Sequence, residues 1–170
     1  MLIIRLTFAV LSLLSFNVFS ASDDIVLICS VSGTDTLSSN KYPVDVKKTP
    51  EWKRSYVFSK DQRYGWTASV DGETPIRYVD TSKDKDLNRV SSVNVSDQLL
   101  EVSDNFSSKY WSDKDTKDKG SIALKYSLSI NRISGVISEK NYMQIDYDSG
   151  FVSKSDRRLV GKCESTKAKF

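Results

Sequence analysis

Apolar side chains recur at every second position through most of this chain. The longest run is Ile122 to Asn131, where Ile122, Leu124, Tyr126, Leu128 and Ile130 fall on one face and Ala123, Lys125, Ser127, Ser129 and Asn131 on the other. That period predicts a strand with one buried and one wetter face. It runs into Asn131-Arg132-Ile133-Ser134-Gly135, where Gly135 can take positive φ and turn the chain into Val136 and Ile137. Shorter alternations predict strands at Ile25 to Val31, Tyr56 to Ser59, Tyr64 to Val70, Pro75 to Asp80, Met143 to Tyr147 and Leu159 to Cys163. The second and third of these read as a hairpin across Lys60-Asp61-Gln62-Arg63.

Helical signals are few. Thr49-Pro50-Glu51-Trp52 has a cap-type residue, a proline and an acid in the order of a helix start, and predicts one helical turn. Ser96 to Val102 fits a short helix or a strand equally. Many short strands with turn signals between them predict an all-β fold. The expected form is an antiparallel meander closed into a small lipocalin-like barrel or folded into a β-sandwich, with at most one or two short helical turns.

The N-terminus adds a compartment. Arg5 precedes an apolar run from Leu6 to Phe16, followed by small residues at Ser20, Ala21 and Ser22 and then by Asp23 and Asp24. This is the layout of a secretory signal peptide. The expected division is a cleaved leader at 1–21 and one β-rich domain at 22–170, with a basic tail from about residue 164. No later stretch is apolar for the 18 residues a membrane helix needs. The expected location is therefore the periplasm or the exterior.

In such a compartment two cysteines pair. A Cys29–Cys163 disulfide would close a loop of 134 positions, worth about 5 kcal/mol in the chain-entropy limit. It would also place the first and last strands side by side, which favours a closed sheet.

Composition mainly excludes. The 170 residues contain no histidine. Serine triads, papain-like dyads, HExxH zinc sites and C₂H₂ fingers are therefore impossible within this chain. The formal charge is +3, falling to +2 without the leader, too weak a basic footprint for a nucleic-acid partner. The excess is local. Lys154 to Phe170 carries six basic residues against Asp156 and Glu164, and is expected to be a solvated, frayed end.

The strand ending in Ile130 to Gly135, the closing Gly161-Lys162-Cys163, the leader and the early Leu27-Ile28-Cys29 together carry a resemblance. The chain resembles small exported proteobacterial proteins that join an Asn-Arg-x-Ser/Thr-Gly turn to a Gly-x-Cys near the C-terminus. The resemblance implies a bacterial envelope location and a β-rich fold, and brings no activity with it.

Candidate chemistry is sparse. Asp113 to Gly120 mixes acids and lysines, but an EF-hand register from Asp113 puts Lys117 at position 5, Asp118 at position 6 and Leu124 at position 12, so no metal is expected. Glu51, Glu73, Glu101, Glu139 and Glu164 show no spacing that selects a glycosidase pair, and neither catalysis nor a cofactor is expected. Aromatics are the better lead. Trp66, Tyr126 and Tyr147 fall on apolar faces and are expected in the core. Trp52, Tyr110 and Trp111 adjoin polar sequence and are expected to be exposed, and with Arg132 they form the candidate ligand-contact set. Arg132 is otherwise expected to pair with a carboxylate or a carbonyl.

The reading that follows is a monomeric β-barrel module binding a small apolar or sugar-like ligand. The alternative is an envelope interaction or inhibitor protein working through polar loops at Asp80 to Asn88 and Ser103 to Lys119. A hollow interior would favour the first and a filled one the second.

Overall fold

In the computed structural model, residues 24–81, 86–112 and 119–165 are described. They form nine antiparallel strands and no helix: β1 (Ile25–Ser39), β2 (Asp45–Asp61), β3 (Gly65–Val70), β4 (Val79–Asp80), β5 (Leu87–Val95), β6 (Leu99–Ser112), β7 (Lys119–Asn131), β8 (Val136–Tyr147) and β9 (Val152–Ser165). The order across the sheet is β3-β2-β1-β9-β8-β7-β6-β5-β4, an up-and-down meander joined end to end where β9 lies against β1. The sheet curls into a barrel. Its remaining seam, between β3 and β4, is spanned by a bridge of Ala68 to Ile76 with hydrogen bonds in both directions.

The cysteines hold the ring. Cys29 and Cys163 are directly opposite in the β1–β9 register and are bonded to each other. The Cys163 N–H donates to the carbonyl of Gly135 in the β7–β8 turn at 2.8 Å. In that turn Asn131 Oδ1 accepts from the N–H groups of Ile133 and Ser134, and Gly135 has φ of 70°. A side chain at Gly135 would meet the Cys163 carbonyl oxygen at 2.7 Å, so glycine serves both the turn and the approach. Gly161 is tighter still: a Cβ there would lie 1.9 Å from the Ser30 carbonyl oxygen.

Alternation sorts the strands into two faces. At the end holding the β2–β3, β5–β6 and β7–β8 turns, the inward residues are apolar. Leu27, Val31, Tyr56, Phe58, Leu100, Val102, Leu128, Ile130, Ile137 and Leu159 are buried there around the disulfide. Outward positions are mostly polar, with exposed valines at Val46, Val90, Val136 and Val160. On β7 they are Ser121, Ala123, Lys125, Ser127, Ser129 and Asn131; on β9 they include Lys154, Asp156, Arg158, Lys162 and Glu164. Among the described residues no helix is long and apolar enough to cross a membrane.

Four expectations are corrected. The helical turn at Thr49 is strand: Val31 pairs with Trp52 and Gly33 with Thr49, so Pro50 and Glu51 oppose Ser32 alone in a β-bulge. A bulge is where a strand tolerates proline. The polar loop expected from Ser103 is the second half of β6 as far as Ser112, and Leu87–Asn88 already belong to β5. The basic segment from Lys154 does not fray at once, because it is β9 as far as Ser165. Tyr147 sits outside the core at the opposite end of the barrel, its ring 5.3 Å from that of Phe151. Trp66 and Tyr126 do pack on the core. The expected leader, residues 113–118 of the acidic stretch and residues 166–170 lie outside the described residues.

Thiol titration of the denatured, unreduced protein should find no free thiol. Replacing both cysteines by serine should lower the urea-unfolding free energy by up to about 5 kcal/mol, the loop-entropy limit for a ring this long.

Candidate functional site

The register sets inward residues in successive rings. The row Val93, Val102, Leu128, Glu139, Leu159 is apolar but for one carboxylate. The next row, Ser91, Asp104, Tyr126, Asn141, Arg157, Asp35, is polar throughout. Beyond it, Arg89, Phe106, Leu124, Met143 and Ser155 mix an apolar wall with polar flanks. The barrel is thus packed solid at one end and hollow at the other, where a cavity of about 710 Å³ opens towards the mouth.

The cavity is divided by chemistry. Val70, Ile76, Phe106, Leu124 and Met143 form an apolar wall, while Arg54, Arg89, Arg157, Glu73, Asp104 and Glu139 contribute charge. Arginines and carboxylates balance, and each arginine is held. Arg89 grips Asp104 with two hydrogen bonds, of 3.0 and 2.8 Å. Arg157 grips Asp35 in the same bidentate way, at 2.5 and 3.1 Å. Such planar pairs combine charge with fixed orientation.

The floor of the cavity is the buried network around Glu139, whose residue is only 3% exposed. Its Oε1 accepts from Arg54 at 2.9 Å and its Oε2 from the Tyr56 hydroxyl at 2.5 Å. The Arg54 Nε donates to Asp71 at 2.9 Å, and Asp71 also accepts from the Ser55 N–H at 2.8 Å. Asp71 has φ of 50°, a left-handed conformation in which the chain leaves β3. Burial pushes the Glu139 carboxyl above its ordinary range, and the Tyr56 hydrogen bond and Arg54 charge only partly offset this. Burial, then the Glu139 charge, raises the Tyr56 and Tyr126 phenols, so both stay protonated at neutral pH. The Tyr126 hydroxyl, on a residue that lines the cavity, is buried and has no hydrogen-bond partner within the protein.

The four residues singled out in the sequence are not brought together. Trp52 is inward beside the bulge and half-buried against the core rather than exposed, because it follows the parity of Arg54 and Tyr56. Tyr110 is 79% exposed near the mouth end of β6. The backbone of Trp111 pairs with Gly120; its side chain lies outside the described structure. Arg132 is at the closed end, where its guanidinium donates to the Ser96 carbonyl at 2.7 Å and its N–H to the Gln98 carbonyl at 2.9 Å. It ties two turns together, as the carbonyl option anticipated.

Sequence reasoning missed the cavity residues, although a signal existed. Asp104 is in phase with Leu100 and Val102, and Glu139 with Ile137 and Ile145. A charge on an apolar face marks an interior that is paired, wet or both.

With this geometry in view, comparison adds little. The sequence matches no family model and no curated protein. Among solved structures, the crystal structure of Ail, the attachment invasion locus protein of Yersinia pestis, aligns with 84% of this chain and 99% of its own, at 8% identity and a TM-score of 0.30. At that identity and score the likeness bears on neither membrane insertion nor function.

Two outcomes test the network. Glu139's raised pKa means that the native state binds the proton more tightly than the unfolded chain. Its contribution to stability is therefore full below pH 4.5, the ordinary carboxylate value, and is lost as pH rises through the raised value. Glu139→Gln removes this slope. Melting temperatures from pH 4 to 8 should show the wild type losing ground against the variant as pH rises; a constant gap would contradict the assignment. Arg54→Met, which strands a buried carboxylate, should cost about 3–5 kcal/mol in urea unfolding at pH 7, and adding Glu139→Gln should recover part of it.

Proposed function

We propose that this protein is an exported, monomeric binding module that takes a small amphiphilic ligand into the open half of its barrel. The observation that carries the reading is the cavity. Its volume of about 710 Å³ lies in the range of small-molecule sites, and barrels of this strand number hold one small ligand. One wall is apolar, with Phe106, Leu124 and Met143 side by side in one cross-strand row. The polar side offers the Tyr126 hydroxyl, Asn141 and Ser155 as hydrogen-bonding groups. Because the lining arginines already hold carboxylates, the favoured ligand is uncharged or carries a single polar group.

Binding is preferred to catalysis because the buried carboxylate, Glu139, is consumed by Arg54 and Tyr56. The bonded cysteines support an oxidising compartment, and with the leader-like N-terminus a bacterial envelope location, periplasmic or secreted. The mostly polar outer faces of β7 and β9, where Val160 is the exposed apolar exception at mid-strand, support a barrel surrounded by water, since a lipid-facing barrel carries an outward apolar band. For the alternative of an interaction or inhibitor protein acting through loops, the stretch Ser103–Ser112 is strand of β6 and offers no loop.

The neutral fluorophore N-phenyl-1-naphthylamine tests the reading. One equivalent should bind, with emission enhanced and shifted to the blue. Leu124→Arg and Met143→Trp should each weaken it at least about tenfold by charging or filling the cavity, while Val160→Arg on the outer face should not. Weak binding without stoichiometry, equal in all variants, would refute the proposal.

A further inference from the structure

The mouth of the barrel carries a feature that the cavity does not explain. The β1–β2 hairpin ends in Asn40-Lys41-Tyr42-Pro43-Val44, and Tyr42, Val44 and Val46 are 69%, 63% and 59% exposed. The tip is built rather than loose. The Asn40 side chain donates to the Gly150 carbonyl at 2.8 Å and accepts from the Val152 N–H at 3.0 Å, clasping the β8–β9 turn. Ser39 Oγ accepts from the N–H groups of Lys41 and Tyr42. Tyr42 packs edge-on to Phe151 at 6.4 Å, and Lys41 lies over the same ring at 5.5 Å. A rigid, protruding turn therefore presents apolar groups and a tyrosine to solvent.

Its flank is cationic. Lys48, next to Val46 on the outer face, is exposed; the cross-strand row it starts passes through Thr34 to Arg158, which is paired with Asp156, and to Lys140, which lies nearer the closed end of β8. Lys41 and Lys47 add charge at the tip itself, opposed there by Asp45.

We infer that this end of the barrel docks on an anionic lipid surface, with Tyr42 and Val44 entering the headgroup layer and the exposed Lys41 and Lys48 facing the lipid charge. Tyrosine is suited to the interface between water and lipid, and clustered basic side chains add attraction to anionic headgroups. A convex turn of a few residues is also too small for the ~800 Å² that a stable protein interface takes from each partner. The inference does not rest on the cavity being occupied, although it places the mouth of that cavity against the phase in which an amphiphile is stored.

Vesicle flotation of the processed chain (22–170) tests it. The chain should float with phosphatidylglycerol vesicles at low salt, not with pure phosphatidylcholine, and be released at 0.5 M salt. The double variant Tyr42→Ser/Val44→Ser should lose most of the floating fraction. Lys41→Glu/Lys48→Glu should weaken binding at least about tenfold. The cavity variant Met143→Trp should float like the wild type, separating failure of this proposal from failure of the ligand reading. Equal binding to both lipids, no binding to either, or indifference to both double variants would overturn it. So would the finding that these variants abolish a salt-sensitive complex with an acidic protein while vesicles recruit nothing.

Discussion

Where β9 lies against β1, with Cys29 bonded to Cys163, the meander becomes a ring. Every strand but β3 and the short β4 then has a neighbour on each side for at least part of its length, while β2 before Tyr56 and much of β5 keep one side unpaired along the bridged seam. The same contact fixes the glycines. Gly161 passes beneath the Ser30 carbonyl, and Gly135 sits under that of Cys163, so the β7–β8 turn is seated on the disulfide strand rather than left free. A covalent cross-link between the ends of the fold also lets the interior depart from an all-apolar core without the sheet opening.

That departure is graded along the barrel axis. At the disulfide end the inward residues exclude water. One ring further, Glu139 is still buried, yet Arg54, Tyr56 and Asp71 complete its hydrogen bonding. Beyond that, Asp104, Asn141 and Arg157 need space and partners, and the hollow begins. Side chains that must keep hydrogen bonds cannot interdigitate like leucines, so the cavity follows from which inward positions are charged.

Strand periods, the meeting of first and last strands and the Asn131 turn were legible because each is local or follows from the pairing of the two cysteines. The second half of β6 was not. Its inward residues are Asp104, Phe106 and Ser108, so the apolar period lapses where the barrel becomes hollow, and the segment resembles a polar loop. Thr49-Pro50-Glu51 failed for a different reason. A helix start and a bulged strand share that local code, and pairing with β1, a non-local fact, decides between them. Trp52 was misplaced for the same reason, since its parity counts back from Tyr56 across the bulge.

The buried Arg54–Glu139 pair is difficult to justify by stability, because well-packed apolar residues of similar volume often serve a core as well or better. What the pair supplies is position. Glu139 holds Tyr56 from below, Arg54 reaches Asp71 and so fixes the left-handed residue at which β3 gives way to the segment carrying Glu73 and Ile76 into the cavity wall. An apolar replacement would preserve the core and release that wall. The pair therefore makes sense as the element that shapes the cavity floor, beside a Tyr126 hydroxyl that the protein itself leaves unpartnered.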